Sequence, residues 1–442
     1  MAGARTAHGR GLPGKPAVKF WMSASHVLRR TGRSPFIRSV ATLMGGNALA
    51  MVVPVLAAPV LGRLYQPADY GALAQYMAPA AVIGVVSTLQ FQHVIIAERN
   101  DRTAGLAVWL SLGSSVAVAL VTALAVAALW RGMLAGSAAG SWFALLPLTV
   151  AGAGVIATGR FLANRYRRYR WISLVQVSQI LASVSVSIIL GVLSWGANGL
   201  FVAYFVGQLI QVLIYLWIVL QFRNTFPPIV ASRLGVVIRR HWKFPIFTLP
   251  SEFSSQATLQ APIFALSALG ADASLGAFTR ARQLISLPAN VISQSVSQVF
   301  RRDAAEQLQK SGSCRKLMLR TALGLFLLGL GPTILVSALA PWMFSIYLGP
   351  AWVEAGHIAR ILAPMLLLQV VVAPISTVFF LVGRQGEDLA ISVLTTIVVA
   401  LCMLAASRIT TNESGLVVAY SASLSLSFIV YFLRALQLSV TE

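Results

Sequence analysis

Apolar residues in this chain come in long blocks, without the strict alternation of a half-buried strand. Twelve such blocks can be marked off. The first six lie near 38–62, 70–96, 103–129, 141–164, 170–194 and 198–222. The second six lie near 244–270, 274–300, 317–343, 354–382, 387–407 and 414–436. Helices rise about 1.5 Å per residue, so about 20 apolar residues cross a hydrocarbon core of about 30 Å. Only helices and closed barrels satisfy their backbone in lipid, and the blocks lack the alternation of barrel strands. The pattern predicts an all-α integral membrane protein of about 12 transmembrane helices.

Composition agrees. Of 442 residues, 57% are hydrophobic and 10% charged, against about 25% charged in soluble domains. The net charge of +22 would suggest nucleic acid in a soluble chain, but here the basic residues gather between spans. Placement of the N-terminus in the cytoplasm puts Arg160, Arg165, Arg167, Arg168 and Arg170 on the inner side, with Arg223, Arg233, Arg239, Arg240, Lys243 and the Arg301–Arg320 cluster. The opposite side keeps Arg63, Arg131 and Arg408. The bias predicts both termini cytoplasmic, and the basic loops are first determinants of topology. It argues for contact with anionic membrane lipids and against nucleic acid. Residues 1–36 are read as a basic disordered tail, 37–222 as an N-terminal six-helix bundle and 223–243 as a cytoplasmic linker. Residues 244–436 form the C-terminal bundle and 437–442 a short tail. Within the loop after span 8, Asp303–Lys310 is expected to form a short interfacial helix.

The two halves echo one another. Ala68-Asp-Tyr-Gly-Ala opens span 2 and Ala273-Ser-Leu-Gly-Ala opens span 8, so Gly71 corresponds to Gly276. Spans 4 and 10 carry prolines at Pro147 and Pro364. Six spans return a chain to its starting side, so these are parallel repeats about an axis along the membrane normal. The expected architecture is two parallel six-helix bundles around a central cavity, a transporter plan.

Charge inside that frame marks the candidate site. Arg280 and Arg282 fall well within span 8, where each charge costs roughly 2.5 kcal/mol or more on insertion scales. At 100° per residue they edge a polar arc of about 160° that also holds Ser286 and Asn290. Serines and asparagines bond across membrane helices, so part of this face can be helix–helix glue. The arginines fit a wet cavity better, and their planar forks suit phosphate. Span 7 carries Glu252, Gln256 and Gln260 in one stripe, behind a kink expected at Pro250. Glu252 is either an ion-coupling site or a structural partner for an arginine. A straight-helix estimate puts it roughly 15 Å from Arg282 in depth, which disfavours a direct pair. Asn47 in span 1 lines the cavity or bonds a neighbour. Gln90, Gln92 and His93 are placed at the membrane interface, as are Arg63 and Arg160; Arg360 is left open.

The sequence offers no nucleophile–base pair, phosphate loop or metal-ligand spacing, so no enzyme, metal or cofactor is predicted. Cys314 and Cys402 are read as ordinary thiols.

Several segments carry a resemblance. They are Gly45-Gly-Asn-Ala-Leu-Ala, the run from Pro59 to Gly71, Phe244-Pro-Ile-Phe-Thr-Leu-Pro-Ser, the run from Leu287 to Phe300, and Leu348-Gly-Pro-Ala-Trp-Val-Glu-Ala-Gly. In order and spacing they resemble Wzx-type polysaccharide flippases of the multidrug/oligosaccharidyl-lipid/polysaccharide exporter superfamily. One departure stands out. Gln90-Phe-Gln replaces an Arg-Tyr-Glu triplet that such proteins often carry after span 2. The resemblance implies a protein of the bacterial inner membrane that flips undecaprenyl-pyrophosphate-linked oligosaccharide by alternating access, for O-antigen, capsule or exopolysaccharide synthesis. It implies polysaccharide polymerase or export machinery as partners. Substrate-binding candidates are Arg280, Arg282, Asn290, Ser286, Gln256, Gln260 and Asn47, with Glu252 for ion coupling. A cation-coupled multidrug antiporter and a lipid II flippase of the same superfamily are the alternatives.

Overall fold

The computed structural model describes residues 51–129, 139–227, 231–409 and 412–440; the expected tail 1–36 and Asn47 lie outside them. The described residues are helical almost throughout. In chain order the helices are α1 (Met51–Leu64), α2 (Pro67–Val86), α3 (Gln92–Ala97), α4 (Asp101–Leu129), α5 (Leu146–Arg165), α6 (Tyr169–Val192), α7 (Ala197–Phe222) and α8 (Ala231–Arg240). A second set follows: α9 (Leu249–Ala268), α10 (Asp272–Ser311), α11 (Arg315–Leu348), α12 (Val353–Ile375), α13 (Thr377–Leu381), α14 (Gln385–Ile409) and α15 (Glu413–Leu438). Eight helical segments among the described residues are long and apolar enough to cross a membrane. They match expected spans 3 to 6 and 9 to 12. Helices also stand at the other four places: α1 is described from Met51 onward, and α2, α9 and α10 fall short in hydropathy. This is a multi-pass membrane protein with all-α architecture.

Strong helix contacts stay within α2–α7 or within α9–α15, except that α2 packs on α9 and α10. The chain therefore folds as two lobes joined along α2. Hydrophobic cores show where. Toward the end at which α1 stops and α2 starts, Ala58, Ala74 and Ala78 share one cluster with Leu266, Phe278, Trp352 and Tyr420 of the second lobe. Toward the other end the lobes keep separate cores, around Phe91, Leu162 and Tyr215 in the first and around Phe300, Met318 and Phe379 in the second. The first is the clasped end. The second is the basic end, where the arginine-bearing loops lie.

Three expectations need correction. Span 2 is not continuous: Leu89 and Gln90 adopt φ of 47° and 63° between α2 and α3. Neither glycine nor proline marks the break; polar side chains hold it, with the Gln90 amide donating to the Val85 carbonyl at 3.0 Å. Asp303–Lys310 is not a separate helix but the end of the 40-residue α10, which stops at left-handed Gly312 (φ 65°). No breaker lies between the membrane part and this extension. Pro147 and Pro364 are not equivalent, since Pro147 opens α5 and Pro364 lies inside α12.

Interior prolines shape the second lobe. A proline cannot bond the carbonyl four residues back, and its ring also displaces neighbouring carbonyls. In lipid such carbonyls need another donor. At several of these prolines a neighbouring helix supplies it. Ser293 reaches the Val370 carbonyl at 3.5 Å, four residues before Pro374. Ser421 reaches Ile361 at 2.9 Å, three before Pro364, and Arg360 reaches Ala338 at 3.1 Å, three before Pro341. Tyr347 does the same across the lobes, donating to Val55, four residues before Pro59.

Candidate functional site

The clasped end is built by reciprocal glycines. A Cβ on Gly71 would stand 1.9 Å from the Asp272 carbonyl oxygen, and one on Gly276 would stand 1.7 Å from that of Pro67. Each glycine thus admits the first turn of the opposite helix, and the sequence repeat becomes a two-fold contact between lobes. Around it, Trp352 Nε1 donates to the Gly62 carbonyl at 2.8 Å, and Gln75 donates to Ser267 Oγ at 2.6 Å. Arg63 donates to Tyr347 and Ile346 at 3.2 and 3.0 Å, as well as to Pro59 at 2.8 Å. It caps carbonyls in the last turn of α11, where a cation also suits the helix dipole. The sequence placed Arg63 as an interface anchor; the structure makes it an interlobe clasp. Its place beside the 348–352 turn left no local signal.

Arg280 lies in the same seam, 5% exposed. Its guanidinium sits 4.4 Å from the Tyr70 ring centre and donates to Tyr70 Oη at 3.0 Å and to Gln283 Oε1 at 2.9 Å. Its Nε has no partner. Tyr70 in turn meets Trp352 edge-on, with ring centres 5.4 Å apart. Arg282 goes elsewhere. It donates to the Leu259 carbonyl, three residues before Pro262, and stands 5.2 Å from the Phe278 ring centre. That is the kink-carbonyl role played by Arg360, all within the second lobe. The two arginines therefore play different roles, since one bridges the lobes and the other supports a bent helix.

Apart from Gln283, bonded to Arg280, and Ser286, the remaining predicted residues leave polar groups uncommitted. Gln283, Asn290, Gln294 and Gln298 are exposed along α10. Its other face, from Leu284 and Ile285 to Pro288 and Ile292, lines an apolar groove, so the polar face points away from that groove. Ser286 donates to the Arg282 carbonyl of its own helix at 2.7 Å. On α9, Glu252 is exposed and Gln256 and Gln260 are half-buried. None of these three makes a hydrogen bond or ion pair among the described residues. Glu252 lies within electrostatic reach of His93 in the first lobe, as does Arg160.

Gln90, Gln92 and His93, expected at the membrane interface, pack within the first lobe. Gln90 and Gln92 are buried, and Gln90 Oε1 accepts from Gln92 Nε2 at 2.9 Å. The Gln90 amide is already oriented by its bond to Val85, so the contact at 3.0 Å places a proton on His93 Nε2. The His93 ring stacks on Phe244 at 5.7 Å, where a π-helical turn, Phe244–Thr248, begins the approach to α9. The distortion expected at Pro250 is this turn. In the linker, α8 is tied to the first lobe through His241 and Glu98 at 2.8 Å.

Two apolar grooves flank the seam. One, of about 1070 Å³, is lined from α2, α4, α5 and α9, including Pro79, Val121, Leu146 and Phe264. The other, of about 640 Å³, is lined from α10, α11, α12 and α1, including Pro288, Leu328, Leu366 and Val55. A shift of six spans converts one set of helices into the other.

With this geometry in hand, comparison places the chain. A family model described as "Polysaccharide biosynthesis protein" matches residues 60–357. Among solved structures, the lipid II flippase MurJ in an inward closed conformation superposes with a TM-score of 0.71 at 12% identity, over 89% of this chain and 87% of that one. An inward-facing multidrug resistance MATE family transporter of the MOP superfamily gives 0.62 at 16%, over 87% and 93%. A MOP superfamily transporter from Pyrococcus furiosus gives 0.57 at 18%, over 90% and 94%. These likenesses show the two-lobe fold. No match is found among curated protein sequences.

Proposed function

Since the chain belongs to the polysaccharide biosynthesis protein family, we propose that it flips a prenyl-diphosphate-linked oligosaccharide across the bacterial inner membrane. Undecaprenyl pyrophosphate is the expected carrier. The observation that carries this reading is the uncommitted polar face. Asn290, Gln294 and Gln298 on α10, with Gln256 and Gln260 on α9, have no hydrogen-bond partner among the described residues although they lie on membrane helices. Buried or lipid-facing amides would be costly, whereas an amide-lined water-filled passage suits sugar hydroxyls. Arg280 supplies the cation for the diphosphate, and the two apolar grooves give the prenyl chain a path beside the seam. The basic end faces the cytoplasm, so the lobes are parted on the side where the glycolipid is assembled. Alternating access closes that end and parts the clasped one. Glu252, within reach of His93 in the other lobe, is the candidate for coupling to an ion.

The test is reconstitution. Proteoliposomes holding a polyprenyl-diphosphate oligosaccharide in both leaflets are treated with an impermeant glycosidase. The reading expects cleavage to pass half the lipid when the protein is present. Cleavage that stops at the outer-leaflet pool in active preparations sinks it.

A further inference from the structure

We propose that Arg280 is a charge latch: it holds the clasped end shut through the neutral partner Tyr70, and a diphosphate that takes it from Tyr70 parts the lobes. This rests on the flippase reading and adds how the headgroup drives the change.

Three observations converge. First, the guanidinium is almost fully buried without a counterion. Its partners are a phenol, an aromatic face and an amide, and Nε has none. No ion pair joins Arg280 to a carboxylate among the described residues. An oxyanion would pair with it far more strongly than a phenol does. Second, the contact is between lobes. Tyr70 lies on α2 and Arg280 on α10, one turn beyond Gly276, whose missing side chain lets the two helices touch. That closeness leaves no room for a diphosphate beside Arg280 while the seam is shut. A ligand that binds only the parted state shifts the equilibrium toward it. Third, there is an approach. Gln283 is exposed, bonded to Arg280 and one turn nearer the basic end, so an anion in the passage meets Gln283 before the arginine.

The experiment reads the seam directly. Ala74 is 6% exposed within the shared core, so Ala74→Cys, in a Cys314→Ala, Cys402→Ser background, reports opening by its alkylation rate. The full chain is held in nanodiscs with polyprenyl diphosphate, or with neutral polyprenol, and lipid retention is measured in parallel. The latch expects the diphosphate to speed alkylation at least about tenfold and polyprenol to leave it unchanged. Tyr70→Phe, which keeps the ring but not the hydroxyl, reacts fast without lipid. Arg280→Gln retains lipid through the remaining polar face but loses the acceleration. If that variant does not fold, Tyr70→Phe decides: a basal rate equal to the parent's overturns the latch. Retention of diphosphate without acceleration overturns the latch and leaves the flippase reading standing. Failure to retain the diphosphate at all overturns both.

Discussion

Gly276→Ala should loosen the clasped end while leaving each lobe folded. The added methyl would sit 1.7 Å from the Pro67 carbonyl oxygen and 2.9 Å from the Gly71 nitrogen. A carbon and an oxygen settle at about 3.4 Å, so the helices must separate by roughly 1.7 Å. The opposing atoms are backbone in the first turns of α2, and no side-chain rotamer can relieve the clash. Overpacking of this kind costs about 1–3 kcal/mol. The cost falls on the shut state alone, because parted lobes no longer touch at this point. At 1.4 kcal/mol per tenfold, the parted population should rise about 5- to 150-fold. Alkylation of Ala74→Cys follows that population when opening and closing are fast relative to the reagent. Gly71→Ala, facing the Asp272 carbonyl at 1.9 Å, should act alike. An unchanged rate in both variants, with protein of normal yield, would refute the claim that this contact holds the seam.

Arg63→Ala removes three carbonyl contacts but from an exposed guanidinium, so the seam should weaken by only about 1 kcal/mol, a severalfold faster Ala74→Cys reaction. Arg282→Ala should lower thermal stability by about 1–3 kcal/mol through the orphaned Leu259 carbonyl. Pro262→Ala lets the helix straighten, so that the Ile263 N–H can reach the Leu259 carbonyl, and a double-mutant cycle in detergent melts should show most of that cost removed; full additivity would deny the kink-capping role. Cys314 is fully buried between α10 and α11, and burial pushes its thiol up; with little thiolate at pH 8, its alkylation by maleimide should lag behind an exposed cysteine by at least tenfold in mass spectrometry.

The sequence carried the helical membrane fold well, because blocks of about 20 apolar residues admit few alternatives in lipid. It also carried the repeat, since Gly71 and Gly276 recur at one topological point and the structure joins them. It was least informative where tertiary contact overrides local preference. The Leu89–Gln90 break uses left-handed backbone without glycine, stabilised by side chains that a periodicity reading treats only as polar. The clasp made by Arg63 had no local signal, because its two interlobe acceptors lie more than 280 positions away. Polarity on span 8 was visible, but the division of roles along it was not.

That division follows from proline accounting, which needs only the sequence and a neighbour list. Where an interior proline leaves a carbonyl that lipid cannot satisfy, a polar side chain nearby can already be committed to it. Ser293, Arg282, Arg360 and Ser421 are consumed this way. Counting them as ligand contacts would inflate the site with residues whose loss unfolds or straightens helices. What is left after subtraction is more telling: Asn290, Gln294 and Gln298 on α10, Gln256 and Gln260 on α9, Glu252 within electrostatic reach of His93, and Arg280 buried against a phenol. Substitution of the consumed set should lower stability first, whereas substitution of the remainder should spare melting temperature and alter glycolipid retention. A mutational scan that found both sets equally destabilising would show that the second set, too, is structural.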